Sequence, residues 1–447
     1  MKGITVKEAA EICGGKLIGE GIGEIRSTCI DSRKVEKGSM FAALKGERVD
    51  GHDYISKAFE LGAVCCIAQY IPEGVSGEMI IVPDVAVALK VLAEAYRKRF
   101  DIPVIGIAGS VGKTTAKEMV ASVLSQRFNV LKTDKNLNNE LGVPLTIFRL
   151  EPEHEVAVIE MGISDFGEMT RLAKMVHPTM AVYTLIGHAH LEHLHDRHGV
   201  IKAKTEMLEF MPENGTVFMN GDDDLLAAFE SKQKKILFGT KENAAVRAEN
   251  VHYNDEMQLC CTVVCGDRRI DVKTPAYGQH MVYAALEGAA VGIKMGLTDE
   301  EIARGIWKYE TVGRRANVVN TGYITLIDDC YNANPDSVKC GIDSLVKSDG
   351  RKVCILGDML EMGENKEDLH AGVGRYASEN CVNLLITVGE LSQYTSKGAD
   401  ISKAHFASNE ELIGQLPELI KPGDTVLVKA SHSMKFDEIS EALKLLK

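Results

Sequence analysis

The sequence has no excess of positive charge. Its 447 residues include 51 Lys and Arg against 64 Asp and Glu, which gives a formal net charge of −13. Proteins that bind nucleic acid release counterions through clustered basic residues, so this balance excludes nucleic acid as a partner of the chain as a whole. An anionic ligand must therefore be held by a few placed groups.

Long apolar runs are missing as well. The longest, such as residues 63–67, are far too short to span a bilayer. Residues 1–15 contain no apolar core bounded by a cleavage site. The 11 cysteines lack metal-ligand spacing, which indicates reduced thiols. We expect no membrane insertion and a cytoplasmic location.

The length and the order of apolar segments predict an α/β protein with three domains, because one domain takes about 150 residues. We place the boundaries near residues 98 and 312, which gives domains 1–98, 99–312 and 313–447. From residue 103, β-branched runs alternate with amphipathic helical stretches, which is typical of a parallel sheet covered by helices. Closely spaced strands at 246–274 predict a small antiparallel sheet.

The C-terminal domain repeats the alternation of strands and helices. Its pattern from residue 323 predicts a second α/β unit of the nucleotide-binding type, and a clear helix is expected between all but its last two strands.

A phosphate-binding motif follows the first strand of the central domain. It consists of Gly109, Ser110, Val111, Gly112, Lys113, Thr114 and Thr115, and a helical segment comes next. Glycines let backbone N–H groups converge on an anion, the lysine neutralises outer phosphates, and Thr114 offers a hydroxyl to Mg²⁺. The strict motif would need glycine at position 107, where this chain has Ile107. The alternative is a glycine turn that binds no ligand.

Two further features suggest metal chemistry. Glu160 ends the apolar strand 156–160, so its carboxylate is expected at the carboxyl edge of the sheet as a Mg²⁺ ligand, unless it is simply solvated. Histidines also stand at positions 188, 190, 193, 195 and 198. They allow three interpretations: a transition-metal site, one histidine acting on a nucleotide-linked Mg²⁺, or solvated loop residues.

Motifs along nearly the whole chain resemble those of the Mur ligase family, and among its branches the one that adds a D-alanyl-D-alanine dipeptide. They lie at residues 31–63, 109–119, 133–146, 159–169, 189–207, 328–335 and 356–364. The resemblance implies a small α/β N-terminal domain for a sugar nucleotide, a central P-loop ATPase domain, and a Rossmann-like C-terminal domain for the amino-acid acceptor.

The resemblance also implies a reaction. ATP would phosphorylate the terminal carboxylate of a UDP-N-acetylmuramoyl-tripeptide, and the amine of D-alanyl-D-alanine would then attack the acyl phosphate. Two Mg²⁺ ions would assist, and the enzyme is expected to work as a monomer. Two alternatives remain open: a sister ligase with another amino-acid acceptor, and a non-catalytic nucleotide-binding scaffold.

By resemblance, four residues are catalytic: Lys113, Glu160, His190 and Lys204. Thr114 and Glu160 would serve the first Mg²⁺ and His190 the second. Lys204 stands where the family carries a carbamylated lysine, which turns a cation into an anion beside the metal. The alternative for Lys204 is an ordinary helix-face lysine next to Lys202.

The resemblance assigns further residues to ligands. Arg314 and Asp329 are expected at the nucleotide, although Asp329 could instead cap the next helix. Ser32 and Arg33 would hold the UDP-sugar, unless they form a surface turn. Substrate contacts are also expected from asparagines in two loops, those before residue 142 being equally able to cap a turn: Asn138, Asn139, Asn332 and Asn334.

The sequence departs from the family pattern at several positions. Met281 and Ala284 replace the two asparagines of a motif that contacts adenine, and His432 replaces an arginine near the acceptor site. Cys330 replaces a serine, and Leu185 an asparagine. We predict that ligase chemistry is retained with altered nucleotide or acceptor preference.

Overall fold

The computed structural model describes residues 1–46, 49–254, 258–276 and 278–447. It confirms the predicted α/β class and the three-domain architecture, since each domain is built on a sheet of its own. The predicted boundary near residue 98 lies directly after a helix that ends at Arg97. The predicted boundary near residue 312 lies between a helix that ends at Trp307 and a strand that begins at Asn317.

The N-terminal domain has a mostly parallel sheet in the order β2-β7-β6-β5-β4, together with an antiparallel pair, β1-β3. Its strands are β1 Ile4–Thr5, β2 Lys16–Ile18, β3 Glu24–Ile25, β4 Ser27–Cys29, β5 Ser39–Ala42, β6 Cys65–Ala68 and β7 Met79–Ile81. Its helices are α1 Val6–Cys13, α2 Ile55–Glu60 and α3 Val85–Arg97.

The central domain contains the largest sheet, in the order β16-β15-β14-β13-β12-β11-β8-β10-β9. Its strands are β8 Val104–Ala108, β9 Val130–Lys132, β10 Val156–Glu160, β11 Met180–Tyr183, β12 Thr216–Asn220, β13 Lys234–Gly239, β14 Val246–Tyr253, β15 Leu259–Cys265 and β16 Arg268–Lys273. Its helices are α4 Lys113–Leu124, α5 Gly142–Ile147, α6 Glu168–Val176, α7 Leu191–Leu194, α8 Arg197–Thr205, α9 Asp224–Ala228, α10 Met281–Lys294 and α11 Asp299–Trp307.

The antiparallel strands predicted at 246–274 are part of this large sheet. Strand β14 pairs with β13 in parallel, and β15 and β16 then continue antiparallel to the sheet edge. Strands β8, β10, β11 and β12 are buried along their whole length, as parallel strands covered on both faces should be. The central strands therefore form a rigid platform whose carboxyl edge carries the loops of interest.

The C-terminal domain has the sheet order β17-β18-β22-β19-β20-β21. Its strands are β17 Asn317–Asn320, β18 Thr325–Asp328, β19 Lys352–Gly357, β20 Leu384–Val388, β21 Lys403–Phe406 and β22 Thr425–Lys429. Its helices are α12 Pro335–Leu345, α13 Lys366–Glu379, α14 Ser392–Gly398, α15 Asn409–Leu419 and α16 Asp437–Lys444.

The expectation of no clear helix between the last two strands is wrong, because α15 lies there. Ser408 caps its N-terminus by accepting a hydrogen bond from the Glu411 N–H, and Pro417 is inside the helix. A proline removes a helix hydrogen bond and usually ends a helix. Here it stands two residues from the C-terminal end, where that loss matters little.

No helix in the described parts of the chain is both long and apolar enough to cross a bilayer.

One buried carboxyl in the central domain has no partner among the residues that the structure describes. Glu287 on α10 is 3% exposed, and the described residues give its side chain neither a hydrogen bond nor an ion pair. Burial raises its pKa well above the usual value. A folded-state pKa above the unfolded one means that this group costs stability as the pH rises above about 4.5.

We therefore predict that Glu287→Leu stabilises the protein at pH 8 by about 1–3 kcal/mol, the desolvation cost of an unpaired buried polar group. Thermal unfolding should show a Tm at least about 2 °C higher. The gain should shrink as the pH falls towards 4.5, whereas the exposed Glu11→Gln should leave the Tm unchanged. A gain that is the same at pH 5 and pH 8 would contradict the explanation by charge.

Candidate active site

The turn between β8 and α4 has the backbone of a phosphate loop. Gly109 has φ 155°, and a Cβ at this position would lie 1.9 Å from Thr184 Oγ1. The Thr184 hydroxyl itself donates to the Val111 carbonyl at 2.5 Å. Only glycine fits at position 109, so the loop and the end of β11 are tightly matched.

Backbone donors at this turn are available to an anion. Among the described residues, the N–H groups of Val111, Gly112 and Lys113 have no acceptor. Such free donors at a helix N-terminus, together with the helix dipole, favour phosphate groups. The Ser110 N–H is an exception, since it donates to the Leu185 carbonyl at 2.7 Å.

Lys113 begins α4, and its ammonium donates to the Gly109 carbonyl at 2.9 Å. Burial lowers the pKa of this group, Glu160 opposes the shift and Arg315 adds to it. A half-buried cation beside free N–H donors is suited to neutralising a phosphate chain.

Glu160, at the end of β10, is held at the same place. It is 1% exposed, its Oε2 accepts from Thr114 Oγ1 at 2.9 Å, and its Oε1 accepts from Asn138 Nδ2 at 2.8 Å. Two oxygen ligands at right angles on one Mg²⁺ ion lie about 3 Å apart. The observed separation of the Thr114 and Glu160 oxygens therefore fits a Mg²⁺ ion that takes its other ligands from phosphates and water.

Lys204, on α8, is a buried lysine that makes no ion pair with the residues the structure describes. It is 1% exposed, whereas Lys202 on the same helix is exposed. Within the described residues, its ammonium has no hydrogen bond or ion pair. Burial, and next the charge of Lys113, lower its pKa well below the usual value, and the charge of Glu168 opposes this shift. The interpretation as a solvated helix-face lysine therefore does not fit.

The histidine segment contacts the C-terminal domain. The N–H of His188 donates to Asp336 Oδ2 at 2.6 Å, and Nδ1 of His190 lies 2.5 Å from Glu361 Oε2. The bond from His190 lowers the pKa of the Glu361 carboxyl. No cluster of three or more His, Cys, Asp or Glu that could hold a metal ion is found among the described residues.

The two C-terminal residues predicted at the nucleotide are engaged in ion pairs. Arg314 donates to Asp328 at 2.7 Å and to Glu441 at 2.6 Å. Asp329 accepts from the buried Lys429 at 2.6 Å and from the Ala316 N–H at 3.1 Å. Asp329 caps no helix, and the nucleotide contacts of both residues stay predictions.

In the N-terminal domain, Ser32 and Arg33 lie on one turn of 3₁₀ helix. The Arg33 guanidinium donates twice to Asp31, each time at 2.9 Å, and its side chain is 87% exposed. The Arg33 charge is therefore accessible to an anion in solution, and the predicted contact with a UDP-sugar stays a prediction.

The asparagines differ in what they do. Asn138 joins the Glu160 site, as described above. Asn139 accepts from the Leu141 N–H at 3.2 Å and the Gly142 N–H at 2.9 Å, so it fixes the turn that leads into α5. Asn334 caps α12 by accepting from the Ser337 N–H at 2.8 Å, and Asn332 is exposed. Substrate contacts by these residues stay predictions.

Several residues at the site could not be predicted from the sequence. Thr184 contacts Val111 of the phosphate loop and Asp336 contacts His188, and no local motif singles out Thr184 or Asp336. Glu361 is different, because it lies inside the segment 356–364 that carries part of the resemblance. Its contact with His190 spans 171 positions, so only the folded chain reveals it.

The positions at which the sequence departs from the family pattern lie either in the apolar core or next to polar and aromatic side chains. Met281 and Ala284, at 1% and 3% exposure, are part of the apolar core. Cys330 Sγ donates to Asp328 Oδ1 at 3.0 Å. The His432 ring lies 5.4 Å from that of Tyr331, over which the Arg315 guanidinium carbon sits at 4.0 Å.

Comparison with known proteins shows that segments of all three domains match models of one protein family. The chain matches the family models described as Mur ligase family, catalytic domain, at residues 24–116, Mur ligase middle domain at 107–292, and Mur ligase, glutamate ligase domain, at 314–432. Together the matches extend over all three domains.

Curated relatives match over their full length. The UDP-N-acetylmuramoyl-tripeptide–D-alanyl-D-alanine ligase of Bacillus subtilis is 34% identical, over 98% of this chain and 98% of that protein. The enzyme of the same name from Escherichia coli is 34% identical, over 99% of both chains.

Solved structures agree in fold. The crystal structure of MurF from Acinetobacter baumannii superposes with a TM-score of 0.91 at 29% identity, covering 98% of both chains. MurF from Thermotoga maritima, solved in complex with ADP, gives 0.83 at 27% identity, covering 94% of this chain and 97% of that one.

Proposed function

This chain belongs to the Mur ligase family, and from that premise we propose that it joins D-alanyl-D-alanine to UDP-N-acetylmuramoyl-tripeptide with the hydrolysis of ATP to ADP and phosphate. The observation that carries the proposal is the buried Thr114–Glu160–Asn138 group beside the phosphate loop. The full-length match to ligases of that name supplies the substrates.

The chemistry proceeds in two steps. The terminal carboxylate of the tripeptide attacks the γ-phosphorus of ATP, and the bond from that phosphorus to the β,γ-bridging oxygen breaks, which leaves ADP and an acyl phosphate. The dipeptide amine then attacks the acyl carbon, loses a proton, and phosphate leaves. Both steps bring anions together, so positive charge must be placed where they meet.

The residues of the chain divide this task. Lys113 and the free N–H groups of the phosphate loop hold the phosphates of ATP, and Asn138 keeps the Glu160 carboxylate in position. Thr114 and Glu160 would hold one Mg²⁺ and His190 a second. When bound, Mg²⁺ offsets the negative charge on the transferred phosphoryl group.

Lys204 fits the carbamate that the resemblance implies. Carbamylation needs an unprotonated amine that attacks CO₂, and burial beside Lys113 favours this form. The product is an anion, which would compensate the Lys113 charge in a place where Lys204 makes no ion pair with the described residues.

The outer ligand contacts follow the resemblance. We assign the UDP-sugar to Ser32 and Arg33, the nucleotide to Arg314 and Asp329, and the peptide substrates to loops that contain Asn138, Asn139, Asn332 and Asn334. Arg33 has the accessible charge that a diphosphate needs. We also propose that the protein is a monomer in the cytoplasm, and both of these proposals are supported by the sequence alone.

A first experiment measures ADP release from ATP in the presence of UDP-N-acetylmuramoyl-tripeptide, with lysine or diaminopimelate as its third residue. We expect release to depend on D-alanyl-D-alanine and the product mass to be that of the pentapeptide. Lys113→Ala should lower kcat at least about 100-fold, and the exposed Lys174→Ala should not. Turnover with another amino acid would indicate a sister ligase, and no turnover a scaffold.

The carbamate can be observed directly. In ¹³C-bicarbonate, we expect a ¹³C carbamate resonance that is absent from Lys204→Ala and retained in Lys202→Ala. Removal of CO₂ should lower the activity of the unmodified protein reversibly. A Lys204→Ala variant with full activity would overturn this assignment.

Nucleotide preference should be relaxed, because Met281 and Ala284 offer no hydrogen bonds to a base. A site that reads hydrogen bonds discriminates by 10⁴ or more, whereas an apolar pocket reaches about 10- to 200-fold. We expect the ratio of kcat/KM for ATP to that for GTP to fall in the lower range. A ratio above about 10⁴ would show that other groups read adenine.

A further inference from the structure

One hydrogen bond joins the histidine segment of the central domain to the C-terminal domain at a candidate metal ligand. Nδ1 of His190 lies 2.5 Å from Oε2 of Glu361. The backbone supports this contact, since the Glu192 N–H donates to the Glu361 carbonyl at 3.3 Å. The two residues are thus held together by side chain and main chain.

Both partners have an unfavourable backbone conformation. His190 has φ 56° and Glu361 has φ 62°, which are left-handed values that non-glycine residues rarely adopt. Each costs about 1 kcal/mol or more, and such residues concentrate at functional sites. Two of them facing each other across a domain boundary indicate that the contact itself is needed.

The hydrogen bond fixes which ring nitrogen of His190 is free. An ionised carboxylate only accepts, so Nδ1 carries the proton and Nε2 presents its lone pair. Among the described residues, Nε2 has no hydrogen-bond partner. A carboxylate on one imidazole nitrogen orients the ring and raises the basicity of the other, which matters most for a metal such as Mg²⁺ that prefers oxygen.

We propose that Glu361 is a positioning residue that orients His190 towards the second metal ion, so that docking of the C-terminal domain completes the metal site. The inference rests on the proposed role of His190 as a ligand. It adds that the domain expected to bind the acceptor controls that ligand from outside the central domain.

A neighbouring contact links the same docking to the phosphate loop. Asp336, in the first turn of α12, accepts from the His188 N–H, and a Cβ at Gly187 would lie 2.4 Å from its Oδ2. The Gly187 carbonyl in turn accepts from Ser110 Oγ at 3.3 Å. The segment 187–190 therefore contacts the phosphate loop on one side and the C-terminal domain on the other.

The test uses the full chain with Mn²⁺ in place of Mg²⁺ and a non-hydrolysable ATP analogue. Electron spin echo modulation detects an imidazole nitrogen bound to Mn²⁺. We expect this modulation in the unmodified protein, its loss in His190→Ala, and a strong decrease in Glu361→Ala. Glu361→Gln should keep most of it, because the amide oxygen still accepts from Nδ1.

Kinetics give a second measurement. Glu361→Ala should raise the Mg²⁺ concentration for half-maximal activity by about 10-fold or more, with a smaller change in kcat at saturating Mg²⁺. Glu364→Ala is the matched control, since Glu364 is exposed in the same turn. Its modulation and Mg²⁺ requirement should equal those of the unmodified protein, and Tm should be alike in both variants.

The outcomes separate two failures. If the unmodified protein shows no imidazole modulation, His190 is not a metal ligand and the inference about Glu361 is wrong. The proposed ligase activity is tested separately, by the ADP-release assay. If the modulation is lost in His190→Ala but unchanged in Glu361→Ala, the ligand is right and the positioning role of Glu361 is wrong.

Discussion

The arrangement of the site depends on two lysines that lie near each other at the carboxyl edge of the central sheet. Lys204 is buried and Lys113 half-buried, and the charge of Lys113 adds to burial in lowering the pKa of Lys204. Burying a cation is expensive, and among the described residues Lys204 makes no ion pair, although the charge of Glu168 partly opposes the fall of its pKa. An anionic ligand, a carbamate or both would compensate this charge, so the protein is built around a site that favours the anions of its substrates.

That constraint explains why the surrounding segments are fixed so firmly. Thr184 closes over Gly109, Ser110 contacts Gly187, and His188 contacts Asp336. Each contact brings protein atoms to the rim of the charged site, which excludes water and strengthens electrostatic interactions inside it. The C-terminal domain is thereby in direct contact with the loop that borders the phosphates, and the position of one domain bears on the chemistry of the other.

The sequence allowed the parts of the site that are encoded locally to be predicted. The phosphate loop and Glu160 follow from a strand, a glycine turn and a helix in immediate succession. The contacts of His188 with Asp336 and of His190 with Glu361 join residues 148 and 171 positions apart, and no local pattern records them. Asparagines also remain ambiguous, because the same kind of side chain that could hold a substrate fixes the turn before α5 at Asn139 and caps α12 at Asn334. Likewise, the sequence alone did not predict α15, which contains Pro417. Whether a proline disrupts a helix depends on its distance from the end of that helix.

The replacement of an arginine by His432 has a structural consequence that the substitution alone does not reveal. His432 lies beside the Tyr331 ring, and the Arg315 guanidinium also lies over that ring, with its carbon 4.0 Å from the ring centre. A guanidinium over an aromatic face is held in place by the ring quadrupole and stays charged at every physiological pH. A fixed cation is therefore still present beside Tyr331, in the loop that contains Asn332. The positive charge beside this loop comes from a residue before β17, so an anionic group near the loop would still find a partner.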